Sequence, residues 1–89
     1  MIDYDRIANA YGKDILVSLK DYEDEVIKNF NYLKSLGFSD VVEIFELYPT
    51  IFICSNDEFQ IKIKSLTDVL GSTYFEQLEE DINLWQIIA

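Results

Sequence analysis

Apolar residues recur along this chain at helical spacing, and the pattern stops and restarts at defined places. Tyr4, Ile7, Ala8 and Tyr11 stand at i, i+3, i+4 and i+7, which predicts a first helix with Asp3 as its N-cap and Gly12 as its stop. The run Ile15-Leu16-Val17 then predicts a short apolar connector. Asp21 precedes a longer helix with Tyr22, Val26, Phe30 and Leu33 on one stripe, closed by a left-handed C-cap at Gly37. Ser39 is the expected cap of the next helix, whose stripe is Val41, Ile44, Phe45 and Tyr48. Pro49 ends it, because proline has no N–H for the ladder and restricts the residue before it. Ile51-Phe52-Ile53 reads as a turn or a single 3-10 turn; its β-branched residues also allow a strand, but no partner strand is evident. Ser55, with Glu58 three residues on, forms a capping box that opens a helix carrying Phe59, Ile63, Leu66 and Leu70. Gly71 stops that helix, and Thr73 is the expected cap of a last one bearing Phe75, Leu78, Ile82 and Trp85.

The punctuation repeats. A shift of 36 pairs Asp3 with Ser39, Ala8 with Ile44, Tyr11 with Leu47, Ile15-Leu16-Val17 with Ile51-Phe52-Ile53, and Ile27 with Ile63. A shift of 34 pairs Leu36-Gly37 with Leu70-Gly71, Ser39 with Thr73, Ile44 with Leu78 and Ile51 with Trp85. Any helical chain aligns with itself on its apolar stripe, but here the caps and glycines align as well. The expected unit is helix, apolar turn, longer helix. The whole chain, residues 1–89, then reads as one all-α domain of about five helices in two and a half stacked repeats, a small α-solenoid with units near 2–36, 37–70 and 71–89.

The segments Leu33-Lys34-Ser35-Leu36-Gly37-Phe38-Ser39 and Tyr48-Pro49-Thr50-Ile51-Phe52 resemble the mitochondrial transcription termination factor (mTERF) repeat, most specifically over residues 26–71. That family repeats a leucine-rich helix, a Leu-Gly-Phe-Ser turn and a proline followed by aliphatic residues. Lys13 and Asn83 stand where the other two copies would carry the proline. The resemblance implies a curl of stacked helical triplets with a groove that binds nucleic acid, hence a role in transcription or RNA metabolism.

Composition changes the functional picture more than the fold. Of 89 residues, 49% are hydrophobic and 15% aromatic, enough for a core despite the small size. Seventeen acidic against seven basic residues give a net charge of −10, a field that repels phosphate backbones and anionic membranes and favours cationic partners. The N-terminus, with Asp3, Asp5 and only Arg6, is unlike a secretory signal or an Arg-rich transit peptide, and no apolar run is long enough for a membrane span. The expected setting is therefore cytoplasmic. The chain has no His, and its single Cys54 lies in the apolar run Ile51-Phe52-Ile53-Cys54, which predicts a buried, inert thiol. No cofactor or metal set is expected. Asp21-Tyr22-Glu23-Asp24-Glu25 matches a calcium loop in composition only, and consecutive acids such as Glu79-Glu80-Asp81 point to different faces of a helix.

Two functional expectations follow. The first is a small acidic interaction module without enzymatic activity that binds a protein partner. The second is an mTERF-like nucleic-acid binder whose contacts would be Lys20, Lys28, Lys34, Lys62 and Lys64. The ordinary alternative for these lysines is macrodipole matching on helices that open with acids, Glu23-Asp24-Glu25 and Asp57-Glu58. The C-terminal Leu84-Trp85-Gln86-Ile87-Ile88-Ala89 is expected to fold back onto the second unit in a monomer, or to support a weak homodimer.

Overall fold

The computed structural model describes residues 4–89; the expected cap at Asp3 lies outside them. Six α-helices carry the chain: α1 (Tyr4–Tyr11), α2 (Asp14–Asp21), α3 (Glu23–Ser35), α4 (Val41–Leu47), α5 (Asn56–Leu70) and α6 (Tyr74–Glu80). Three 3-10 segments, Pro49–Phe52, Gly71–Thr73 and Ile82–Ile88, complete the regular structure, and no strand occurs among the described residues. The fold is all-α. Among the described residues no helix is long and apolar enough to cross a membrane.

Local signals explain several boundaries. Gly37 takes a φ of +98°, so α3 ends where only glycine enters the left-handed region without strain. Pro49 occupies the first turn of its 3-10 segment, where a missing N–H leaves nothing unsatisfied. Ser55 is extended and its Oγ accepts the Glu58 N–H at 3.2 Å, which starts α5. Ser55→Ala should therefore lower stability by about 1 kcal/mol in urea unfolding, with Ser55→Asp restoring most of it; an unchanged midpoint would show that the cap carries nothing.

Five expectations need correction. Ile15-Leu16-Val17 is not a connector but part of α2, so the described residues form six α-helices rather than about five. Lys13 stands where the second unit has Pro49, so no imide interrupts the ladder. Leu19, buried, stands where the second unit has the capping Ser55. With neither breaker nor cap, the turn extends to Asp21. Consequently Asp21 ends α2 instead of preceding α3, and Tyr22, shared by both helix ends, is half exposed rather than in the core. Ser39 does not cap α4, whose N-cap is Asp40 without a side-chain bond. Its hydroxyl and N–H instead donate to the two Glu79 carboxylate oxygens, at 2.8 and 3.2 Å. Finally, the last helix stops at Glu80. Asp81 turns extended, its carboxylate accepts the Asn83 N–H at 3.0 Å, and Ile82 and Trp85 fall in a 3-10 segment. Thr73 precedes α6 without capping it, and its hydroxyl receives the Gln77 amide instead.

Packing runs along the chain. α1 rests on α2 and α4, α3 on α4 and α5, and α5 on α6 and the last 3-10 segment. The aromatic residues form a connected line: Phe30 meets Phe45 edge-on, Phe45 meets Phe52 at 5.0 Å, Phe52 meets Phe59 at 5.2 Å, and Tyr32 closes on Phe59. A second group at the C-terminal end joins Phe38 to Phe75 at 4.7 Å and to Trp85 at 5.4 Å. Trp85 is fully buried, with Leu84 and Ile88 packed around the same core. The C-terminal segment thus folds back into its own chain. Each fully buried aromatic or aliphatic side chain contributes about 1.5–3 kcal/mol. The exposed Lys28–Glu25 pair, 3.9 Å apart, belongs to a class worth at most about 0.5 kcal/mol. The core therefore holds this fold, not surface charge.

Polar links tie together helices that are distant in sequence. Asn29, fully buried on α3 beside Val26 and Leu33, donates from Nδ2 to the Phe52 and Cys54 carbonyls, each at 2.9 Å. Its Oδ1 accepts from Asn56 Nδ2 at 3.1 Å. Arg6 on α1 reaches the buried Glu46 carboxylate on α4 at 3.0 Å, and the Tyr11 hydroxyl donates to the Leu47 carbonyl.

Candidate functional site

A groove of about 480 Å³ lies between α2 and α3, floored by α4. From α2 come Leu16, Leu19 and Lys20, at i, i+3 and i+4; from α3 come Glu23, Val26, Ile27 and Phe30, at i, i+3, i+4 and i+7. Those spacings place each set on one helix face. Phe45 of α4 supplies the floor. Six of the eight side chains are apolar. Val26, Leu19 and Phe45 are buried in the core, whereas Ile27 is 50% exposed, so the groove is the edge of the core left uncovered.

Its upper end is acidic. A shallower recess of about 280 Å³ shares Lys20 and Glu23 with the groove and is walled by Asp21, Tyr22, Asp24 and Glu25. Three of these carboxylates, Glu23, Asp24 and Glu25, occupy the first turn of α3, where the helix dipole favours them. Around the groove's end, four carboxylates therefore outnumber the ammonium of Lys20 and that of Lys28, which pairs with Glu25.

The five lysines singled out in the sequence are spread over three helices. Lys20 is in the last turn of α2, at the groove's rim. Lys28 is exposed in mid-α3 and paired with Glu25. Lys34, in the last turn of α3, lies 6.0 Å from the Phe30 ring centroid, within cation–π range. Lys62 and Lys64 sit in the middle of α5, whose last turn holds no basic residue, so macrodipole matching accounts for Lys34 but not for them. Two residues apart on a helix, Lys62 and Lys64 point about 160° away from each other and do not share a face.

Cys54 is buried, and burial pushes its thiol pKa up, while the neighbouring Lys62 acts in the opposite direction. A thiol held in its neutral form is a poor nucleophile. Of the acidic C-terminal run, Glu79 receives Ser39 and Asp81 caps the segment that follows it. Among the described residues, no group of three or more His, Cys, Asp or Glu side chains is arranged to hold a metal ion.

Sequence reasoning placed Val26 and Phe30 on the core stripe of α3 but did not find the groove. Its signal was present: Leu16 and Leu19 are spaced for a helix face, and Ile27 continues the apolar side of α3 beyond what the core needs. No protein-family model, curated protein or solved structure matches the chain.

Proposed function

We propose that this protein is a small acidic helical-repeat interaction module, without enzymatic activity, that binds a protein partner. The observation that carries this reading is the α2/α3 groove, an uncovered apolar face with an acidic end on a chain of net charge −10. Sites for other macromolecules are usually apolar in the centre and polar at the rim. The absence of histidine from the sequence and the neutral, buried thiol of Cys54 leave few groups suited to catalysis.

The repeat reading draws support from which helices touch. α1 rests on α4 and α3 on α5, each on the element that the 36-residue shift assigns as its counterpart. The stack would then be two and a half mTERF-like units, with α2, Pro49–Phe52 and Ile82–Ile88 as the three variants of the apolar turn.

The second reading, nucleic-acid binding through Lys20, Lys28, Lys34, Lys62 and Lys64, comes from the resemblance. Fluorescence anisotropy with labelled single-stranded and duplex DNA and RNA separates the two. The expected result is no binding even at low salt, where phosphate contacts are strongest. Binding that weakens with salt and is lost in the double variant Lys28→Glu, Lys64→Glu would overturn the protein-partner reading.

A further inference from the structure

The α2/α3 groove carries more information than the presence of a partner, because its chemistry restricts what can occupy it. We infer that it is the docking site for a basic amphipathic α-helix of a partner protein; this rests on the protein-partner reading above. Three features lead there.

The first is the groove's walls. They are two α-helices, whose mid-helix backbone groups already bond along the helix, and no strand edge occurs among the described residues. The groove therefore offers apolar side chains but no backbone ladder. A partner segment pressed into it must satisfy its own N–H and C=O groups, and a helix does so internally. The apolar contacts would be Leu16, Ile27 and Phe30, which remain partly or half exposed over a floor of Leu19, Val26 and Phe45.

The second is charge. The groove runs into the recess walled by Asp21, Glu23, Asp24 and Glu25, four carboxylates that outnumber Lys20 in its lining and Lys28 beside Glu25. Attraction at that end favours lysine or arginine beside the partner's apolar stripe and raises its association rate. The same field disfavours nucleic acid and an anionic amphiphile.

The third concerns the other natural occupant, a second copy of this chain. It would bring another ten negative charges to an already acidic rim. The C-terminal apolar segment is not free to fill the groove of a neighbour, since Trp85 is fully buried in its own core.

The test uses the full chain and three fluorescein-labelled model peptides of about fourteen residues, four helical turns. One carries leucine at i, i+3, i+4 and i+7 with lysine elsewhere. The second replaces every lysine by glutamate. The third has the composition of the first with its stripe scrambled. Anisotropy is read at about 150 mM salt, where long-range attraction is screened, and amide shifts of the isotope-labelled protein locate the contact. The expected result is binding of the first peptide alone, with shifts centred on residues 16–30. Ile27→Gln, at a half-exposed position, should weaken it about fivefold. Glu23→Lys should weaken it about tenfold at low salt and less at high salt. Circular dichroism confirms that both variants remain helical, and shift mapping on the unmodified chain needs neither of them. Equal binding of the glutamate peptide in the groove would overturn the charge assignment and leave the protein-partner reading standing. Equal binding of the scrambled peptide, shifts elsewhere, or no binding would overturn the groove as the site. Shifts at Ile27 that grow with protein concentration alone would assign it to a second copy. Failure of the protein-partner reading itself appears separately, as salt-sensitive nucleic-acid binding.

Discussion

Trp85→Ala should remove about 3–5 kcal/mol of stability and lower Tm by roughly 15–30 °C in a circular-dichroism melt. Trp85 is the only tryptophan of the chain, is fully buried, and packs edge-on against Phe38, which in turn meets Phe75. It is thus the residue that fixes the last 3-10 segment to the junction between α3 and α4 and to α6. Truncation leaves a cavity beside Phe38, in the core that Leu78 also lines. Trp85→Phe is the informative companion. The indole Nε1 finds no hydrogen-bond partner among the described residues, so phenylalanine removes a desolvated donor while leaving a smaller void. Its expected loss is about 1–2 kcal/mol. A Tm change of less than about 5 °C for Trp85→Ala would mean that the C-terminal segment does not dock in solution.

The other large effect belongs to Asn29. Asn29→Leu keeps the branched heavy-atom shape, in a somewhat larger side chain, but removes the donor shared by the Phe52 and Cys54 carbonyls and the acceptor used by Asn56. Two buried carbonyls lose their partner at once, and the expected loss is about 2–4 kcal/mol. In urea unfolding the midpoint should fall with little change in slope. Asn31→Leu, two positions away and exposed, should stay within about 0.5 kcal/mol of the parent. If the two variants behave alike, the amide of Asn29 does not hold the turn after Pro49. The role is one of specificity as much as strength: an apolar residue there would accept several registers of α3 against the turn, whereas the amide accepts one.

These two residues also show what the sequence could and could not reveal. Trp85 was legible as core because an isolated tryptophan in an apolar segment of a small chain has few other places to go. Asn29 was not. It shares the buried face of α3 with Val26 and Leu33, and nothing in its neighbours in sequence announces carbonyls 23 and 25 residues away. The same contrast divides the boundaries. Ser55, Gly37 and Pro49 act through their own backbones or the next turn, so their effects are written locally. Ser39 is drawn away from its expected cap by Glu79, 40 residues on. α2 arose because two stop signals are absent from the first unit. The groove was hidden for a related reason: it is defined by what fails to cover Ile27 and Leu16, and a stripe in sequence does not say whether a neighbour arrives.

The order in which helices touch has a kinetic consequence. α1 meets α2 and α4, and α6 meets α5 and the segments beside it. Most contacts are local, although α1 with α4 and Ser39 with Glu79 bridge stretches of up to 40 residues, so much of the packing begins before large loops must be closed. Chains of this kind fold fast, on the microsecond-to-millisecond scale, since rate falls as contacting residues grow distant in sequence. Nascent chain emerging from a ribosome could settle α1 to α4 before the tryptophan that completes the far end has been made.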